Sequence, residues 1–201
     1  MSHTAALRFP SFYLVTQGIL GGKRARRKYI EEYAKVERGM RVLDIGCGPG
    51  YVVTYLPQVS YFGFDISEPY IAYANKKYGA QGKFFPRLFD SEMAKELAPV
   101  DVILMAGLLH HLNDADVIEL LVLSRKTMRD TGRLVTLDPC YESNQSAIAK
   151  FLMNRDRGDS IRKSGQYKAL ASQVFQQVKL HIRHDLFFVP YTAAIMVCEL
   201  T

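Results

Sequence analysis

An apolar run, Val42-Leu43-Asp44-Ile45, breaks at once into Gly46-Cys47-Gly48-Pro49-Gly50, and this junction constrains the fold more than any other feature of the chain. Three glycines within five residues permit a tight turn and let another molecule approach backbone N–H groups closely. A helical stretch at 50–56 follows, so the unit reads as strand, ligand-binding turn, helix. The rest of the chain repeats the alternation. Strand candidates lie at 41–45, 61–65, 83–86, 101–106 and 133–138, most of them rich in apolar, β-branched or aromatic residues. Helix candidates lie at 50–56, 68–78, 91–97 and 113–129, the last with Ile118, Leu121, Val122 and Met128 along one side. Such a series predicts a mostly parallel sheet with right-handed crossovers. Two further β-like runs, 176–185 and 193–200, are joined only by a short segment around Pro190-Tyr191, which is too short for a parallel crossover and predicts a hairpin. The predicted fold is an α/β three-layer sandwich, with a seven-stranded, mostly parallel sheet ending in an antiparallel hairpin and helices on both faces.

The chain's 201 residues suffice for one sizeable core, so one domain over 1–201 is expected, with 1–39 as an N-terminal helical cap and 40–201 as the core. No apolar run approaches the length of a membrane span, which predicts no membrane partner. Met1–Pro10 lacks a positive leader followed by an apolar stretch and a cleavage site, so no secretory signal is read there and the expected location is the cytoplasm. Cys47, Cys140 and Cys198 are odd in number and far apart, which argues for reduced thiols and against a paired-cysteine zinc site; no metal is expected.

The residues around the turn discriminate between ligands. A dinucleotide site wants Gly or Ala at the sixth position of the turn, and here that position is Tyr51. Asp44 would repel a pyrophosphate but suits an ammonium. Asp65, about twenty residues past the start of the turn, can accept hydrogen bonds from both hydroxyls of a ribose. The run from Val42 to Gly50, followed by Asp65, resembles the cofactor-binding signature of class I S-adenosylmethionine-dependent methyltransferases, and more narrowly the small-molecule methyltransferase type 11/12 domains. The likeness covers roughly Met40 to the C-terminus. It implies S-adenosyl-L-methionine as cofactor and S-adenosyl-L-homocysteine as product. It also implies a binding set of Asp44, Gly46, Cys47, Gly48, Gly50, Asp65, Ile66, Asp90 and Ala106. Asp90 has two readings, a contact to the adenine amino group or an N-cap for the helix at 91–97.

Ala106-Gly107-Leu108-Leu109-His110-His111-Leu112 resembles the segment that passes the methionine end of the cofactor in that family. His110, nearer the strand end, is the candidate general base, with a structural histidine as the alternative. Arg155, Arg157, Arg162 and Tyr167 are candidate substrate contacts, the arginines for a carboxylate or phosphate, unless they pair with Asp156 and Asp159. The net charge of +6 and pI near 9.2 owe much to Lys23-Arg24-Ala25-Arg26-Arg27-Lys28. This run reads either as the solvated face of a helix backed by Tyr29, Ile30, Tyr33 and Val36, or as a nucleic-acid contact. Three functions therefore stand: methyl transfer to a small molecule, methyl transfer to RNA, and a non-catalytic cofactor-binding protein of the same fold.

Overall fold

The structure, a computed structural model, describes residues 21–154 and 160–200. Helix α1 (Gly22–Lys28) runs on into a π-helical stretch, Tyr29–Ala34. There follow β1 (Arg41–Ile45), a 3-10 helix (Tyr51–Tyr55), β2 (Ser60–Phe64), α2 (Glu68–Tyr78), β3 (Lys83–Phe85), α3 (Ser91–Leu97) and β4 (Val100–Ala106). A short 3-10 turn (Leu109–His111) leads to α4 (Asp114–Thr127), β5 (Met128–Tyr141), α5 (Ala147–Met153), β6 (Arg162–Lys163), α6 (Ser164–Ala171), β7 (Gln177–Arg183) and β8 (Ala193–Glu199). The sheet runs β3-β2-β1-β4-β5-β8-β7, with the two-residue β6 paired to the end of β5. Strands β1 to β5 are mutually parallel, and β8 is antiparallel to both β5 and β7.

Two apolar layers sandwich the sheet. On one face the π-helical stretch after α1, the 3-10 helix and α2 bury Tyr29, Ile30, Tyr33, Tyr51 and Ile71 against Val42, Leu104 and Val135. On the other, α3, α4 and α6 bury Met93, Leu97, Leu121 and Tyr167 against Leu43, Ile103, Met105 and Leu134. The first described helix, with the π-helical stretch that continues it, is thus one of the sheet's covering layers. Its Tyr29 hydroxyl donates to Val135 O at 2.6 Å and accepts from Met105 N at 3.3 Å, so a wholly buried polar group is satisfied by the strands it covers.

Three elements depart from expectation. The stretch after the glycine turn forms a 3-10 helix rather than an α-helix, because Val52, Val53 and Thr54 are β-branched and Pro57 stops propagation. Strand β5 starts at Met128, because its pairing with β4 resumes across a bulge between Val100 and Val102. Helix α4 buries Val117, Leu121 and Ser124 and leaves Val122 exposed, while Met128 belongs to β5. Asn113, accepting from Asp116 N at 3.0 Å, sets the phase of that helix, and Ser124 can be buried because its hydroxyl bonds Leu120 O at 2.7 Å.

Candidate active site

At the C-terminal ends of β1 and β2 the backbone builds a cradle. Gly46, Gly48 and Gly50 all have positive φ, at 75°, 54° and 75°, where a side chain would be strained. A Cβ on Gly50 would stand 2.7 Å from Phe84 Cε1, whereas one on Gly48 would meet nothing within 4 Å. The turn is therefore packed tightly beneath and open at Gly48. Gly46 N and Cys47 N both donate to Phe64 O, which ties the turn to the end of β2. Asp65, the next residue, accepts from Gly48 N at 2.9 Å and from Ser67 N at 2.8 Å. Each oxygen keeps capacity for a further donor, the chemistry a vicinal diol requires. Ile66, next to Asp65, and Leu88, in the segment after β3, are 70% and 71% exposed.

Asp44 lies beneath this turn and is buried, with Oδ2 accepting from the Tyr61 hydroxyl at 2.6 Å. Burial raises its pKa to about 7, the Tyr61 hydrogen bond opposes the rise, and the Asp65 charge adds to it. Sealed in this way, Asp44 makes no direct contact above the turn and can reach it only through its field. The Cys47 thiol is also buried, and burial first, then Asp44 and Asp65, push its pKa well up; only its backbone belongs to the cradle. Arg26, on α1, sets its guanidinium 5.5 Å from the centre of the Tyr51 ring, immediately after the turn, and its buried Nε has no partner among the described residues.

The second constellation lies at the ends of β4 and β5. Ala106 closes β4, and Gly107 follows with φ of 73°, its N–H bonded to Leu137 O at 2.7 Å. That reversal carries His110 over β5. His110 Nδ1 lies 2.8 Å from Asp138 Oδ1, and the same oxygen accepts His110 N at 3.2 Å. Both side chains are buried, and Asp138 Oδ2 has no hydrogen-bond partner among the described residues. A carboxylate accepts, so Nδ1 carries the proton and the basic lone pair falls on Nε2. Asp138 was visible in the sequence only as a strand end; nothing local announces a partner 28 residues away.

Other expected site residues are held elsewhere. Asp90 is the N-cap of α3, with Oδ1 accepting from Glu92 N and Met93 N and Oδ2 paired with Arg87. The Met93 N–H and then Arg87 hold its pKa below the usual carboxylate range. The cap uses Oδ1, so Asp90 fills the N-cap reading. Arg162 is buried and donates to Asp114 Oδ1 at 2.8 Å, Leu109 O at 2.9 Å, Ser160 O at 3.1 Å and Leu112 O at 2.7 Å. It pins the His110 segment, and these bonds occupy its guanidinium. Tyr167 is buried in the core, its ring 5.5 Å from that guanidinium. Arg155 and Arg157 lie outside the described residues. Cys140 is buried and pushed up to about 12 by burial, then by Glu142 and Asp138, which keeps it a thiol rather than a nucleophile. Among the described residues no group of histidines, cysteines and acids could hold a metal, and no helix is long and apolar enough to cross a membrane. In the basic run, Lys28 pairs with Asp185 at 2.6 Å, Arg27 with Glu31 at 3.3 Å, and Arg24 lies over Phe188.

Comparison with known proteins agrees with this architecture. The chain resembles TehB-like SAM-dependent methyltransferase from Corynebacterium glutamicum at 18% identity and a TM-score of 0.59, covering 87% of this chain and 88% of that one. It resembles the cyclopropane synthase MmaA2 from Mycobacterium tuberculosis at 15% identity and a TM-score of 0.60, covering 78% and 62%. It also resembles human N-acetylserotonin methyltransferase, solved in complex with SAM, at 17% identity and a TM-score of 0.66, covering 100% and 57%. The chain spans about three fifths of the length of the cyclopropane synthase and of the pyocyanin biosynthetic protein PhzM. At such identities these likenesses establish the fold. A search of the curated proteins finds no match. The family model described as a methyltransferase domain matches residues 22–183, from α1 to the end of β7, and the chain belongs to that family, with the class I, Rossmann-like fold.

Proposed function

We propose that the chain transfers a methyl group from S-adenosyl-L-methionine to a small-molecule acceptor and releases S-adenosyl-L-homocysteine. The observation that carries the reading is the Asp65 carboxylate, tied to the open turn at Gly48 N and to Ser67 N and free to accept from a ribose. In this reading Gly46, Cys47, Gly48, Gly50 and Ala106 contribute backbone walls, and Ile66 and Leu88 cover the faces of the adenine. The negative field of Asp44 favours the ammonium of the amino-acid end, and Arg26 favours its carboxylate. When bound, the cofactor supplies a methyl group already activated by a positively charged sulfur.

The chain's own task is then to position the acceptor and to take a proton where the acceptor is a hydroxyl or a protonated amine. His110 Nε2 serves as that base, and Asp138 holds the ring in the required tautomer and favours the imidazolium that forms. A small acceptor is favoured over RNA because Lys28 of the basic run is engaged by Asp185 at 2.6 Å and so offers little to phosphates.

The test is transfer of labelled methyl from S-adenosyl-L-methionine to pooled metabolites, total RNA and protein extract. Label in the low-molecular-weight fraction is the expected result. Label confined to RNA would replace this acceptor with a nucleic acid, and no label in any fraction with intact cofactor binding would favour a non-catalytic protein.

A further inference from the structure

We propose that the cavity above the ends of β5, β8 and β7 is the methyl-acceptor site, and that it takes a neutral aryl compound of one or two rings; the assignment rests on the methyl-transfer reading above. The cavity holds about 260 Å³, between Asn144 and Ala149 on one side and the segment from His184 to Thr192 on the other. Pockets for drug-sized ligands run from roughly 300 Å³ upward, so this one suits a smaller molecule.

Position favours this cavity over a larger hollow of about 470 Å³ beside Met128. Met128 starts β5, so that hollow lies at the opposite edge of the sheet from the glycine turn, whereas ligands of open α/β sheets bind at the carboxyl ends of the strands. Across the carboxyl edge, the sheet order sets three stations side by side. The turn and Asp65 crown β1 and β2, His110 and Asp138 crown β4 and β5, and the cavity crowns β5, β8 and β7. The proposed base thus stands between the two ligand stations. Thr192 O accepts from Cys140 N at 3.1 Å, and Cys140 is two residues, about 7 Å of strand, beyond Asp138.

The lining sets the ligand class. Among the described residues no Asp, Glu, Lys or Arg lines the cavity, so a ligand carboxylate or phosphate would lose its hydration without a counter-charge. Pro190 and Tyr191 supply apolar walls, and the Tyr191 ring is braced edge-on against Phe187 at 5.0 Å. His184 Nδ1 lies 3.2 Å from Thr192 Oγ1, which orients the imidazole and leaves Nε2 for one hydrogen bond to a ligand hydroxyl or ring nitrogen.

The test uses the full chain and two matched probes, 2-naphthol and 6-hydroxy-2-naphthoate, titrated by naphthol fluorescence, with S-adenosyl-L-homocysteine binding measured in parallel by calorimetry. Wild type is expected to bind 2-naphthol and to bind the carboxylate at least about tenfold more weakly. Pro190→Trp at the exposed rim and Ala149→Phe in the wall should each weaken 2-naphthol by about tenfold or more, with S-adenosyl-L-homocysteine binding unchanged. Should Ala149→Phe fail to fold, Pro190→Trp decides. The proposal is overturned by no 2-naphthol binding in wild type, by equal binding of the carboxylate, or by 2-naphthol binding unmoved in Pro190→Trp. Binding of 2-naphthol that Pro190→Trp blocks, in a protein indifferent to S-adenosyl-L-homocysteine, would keep the cavity as a small-molecule site and sink the cofactor reading instead.

Discussion

The two halves of the sheet's carboxyl edge are built from different materials. On the β1–β2 side the backbone makes the site: positive-φ glycines turn the chain, Gly46 and Cys47 share the Phe64 carbonyl, and Asp65 clasps Gly48 N. On the β4–β5 side the side chains make it. His110 depends on Asp138, and the segment carrying it is held by Arg162 through the carbonyls of Leu109 and Leu112. A backbone cradle tolerates change in its surroundings but not in its glycines. A side-chain site can be retuned by single substitutions and can be lost to one.

The largest effect should come from the side-chain half. His110→Asn is expected to lower kcat by about 10²- to 10⁴-fold and to remove the acidic limb of the pH–rate profile, while S-adenosyl-L-homocysteine affinity stays near wild type. His111→Asn should do far less. A loss below about fivefold for His110→Asn would leave positioning alone to account for the reaction.

Next in size is Arg162→Met. It removes a buried guanidinium that donates to three carbonyls, those of Leu109, Ser160 and Leu112, and since Asp114 is exposed enough to be rehydrated, a loss of about 3 kcal/mol in urea denaturation is expected. An unchanged midpoint would mean that the His110 segment is held by other contacts.

On the cofactor half, Arg26→Ala should weaken S-adenosyl-L-homocysteine by about tenfold and leave methylthioadenosine, which lacks the amino-acid end, unaffected. Equal losses for both ligands would reduce Arg26 to a packing residue over Tyr51.

The smallest effect is a pH dependence. Native Asp44, raised to about 7, holds a proton that the unfolded chain releases near its ordinary value of 3.8, so the wild type loses stability as pH rises across that window. Asp44→Asn, which does not titrate, should flatten this part of the melting-temperature profile. The ammonium of the ligand favours the ionised carboxylate, so wild-type affinity should rise with pH through about 7, and the variant should lose that rise. A wild-type profile parallel to that of Asp44→Asn would show that Asp44 does not titrate there.

The same division explains what the sequence made legible. The turn, Asp65, the strand alternation and the closing hairpin were all readable, because glycine conformation and hydrophobic periodicity are local properties with fixed spacing. Asp90 is ambiguous in the sequence because a carboxylate ahead of a helix fits both a cap and a ligand contact, and only the bonds to Glu92 N and Met93 N show that it caps. Arg162 looked like a substrate residue because its carbonyl partners lie some fifty residues earlier in the chain, where no local pattern points to them. The pairing of His110 with Asp138 was hidden for the same reason. The phase of α4 was misread because Ser124 is buried with its hydroxyl satisfied, which hydrophobic periodicity cannot register.

The most direct test of the central claim is calorimetry of S-adenosyl-L-homocysteine and of NAD against the wild-type chain and Asp65→Ala. The account predicts one S-adenosyl-L-homocysteine site per chain, weakened by more than about tenfold in Asp65→Ala through loss of charge-assisted hydrogen bonds, and no heat from NAD. Tight binding of NAD alone, or an unchanged dissociation constant in Asp65→Ala, would contradict it.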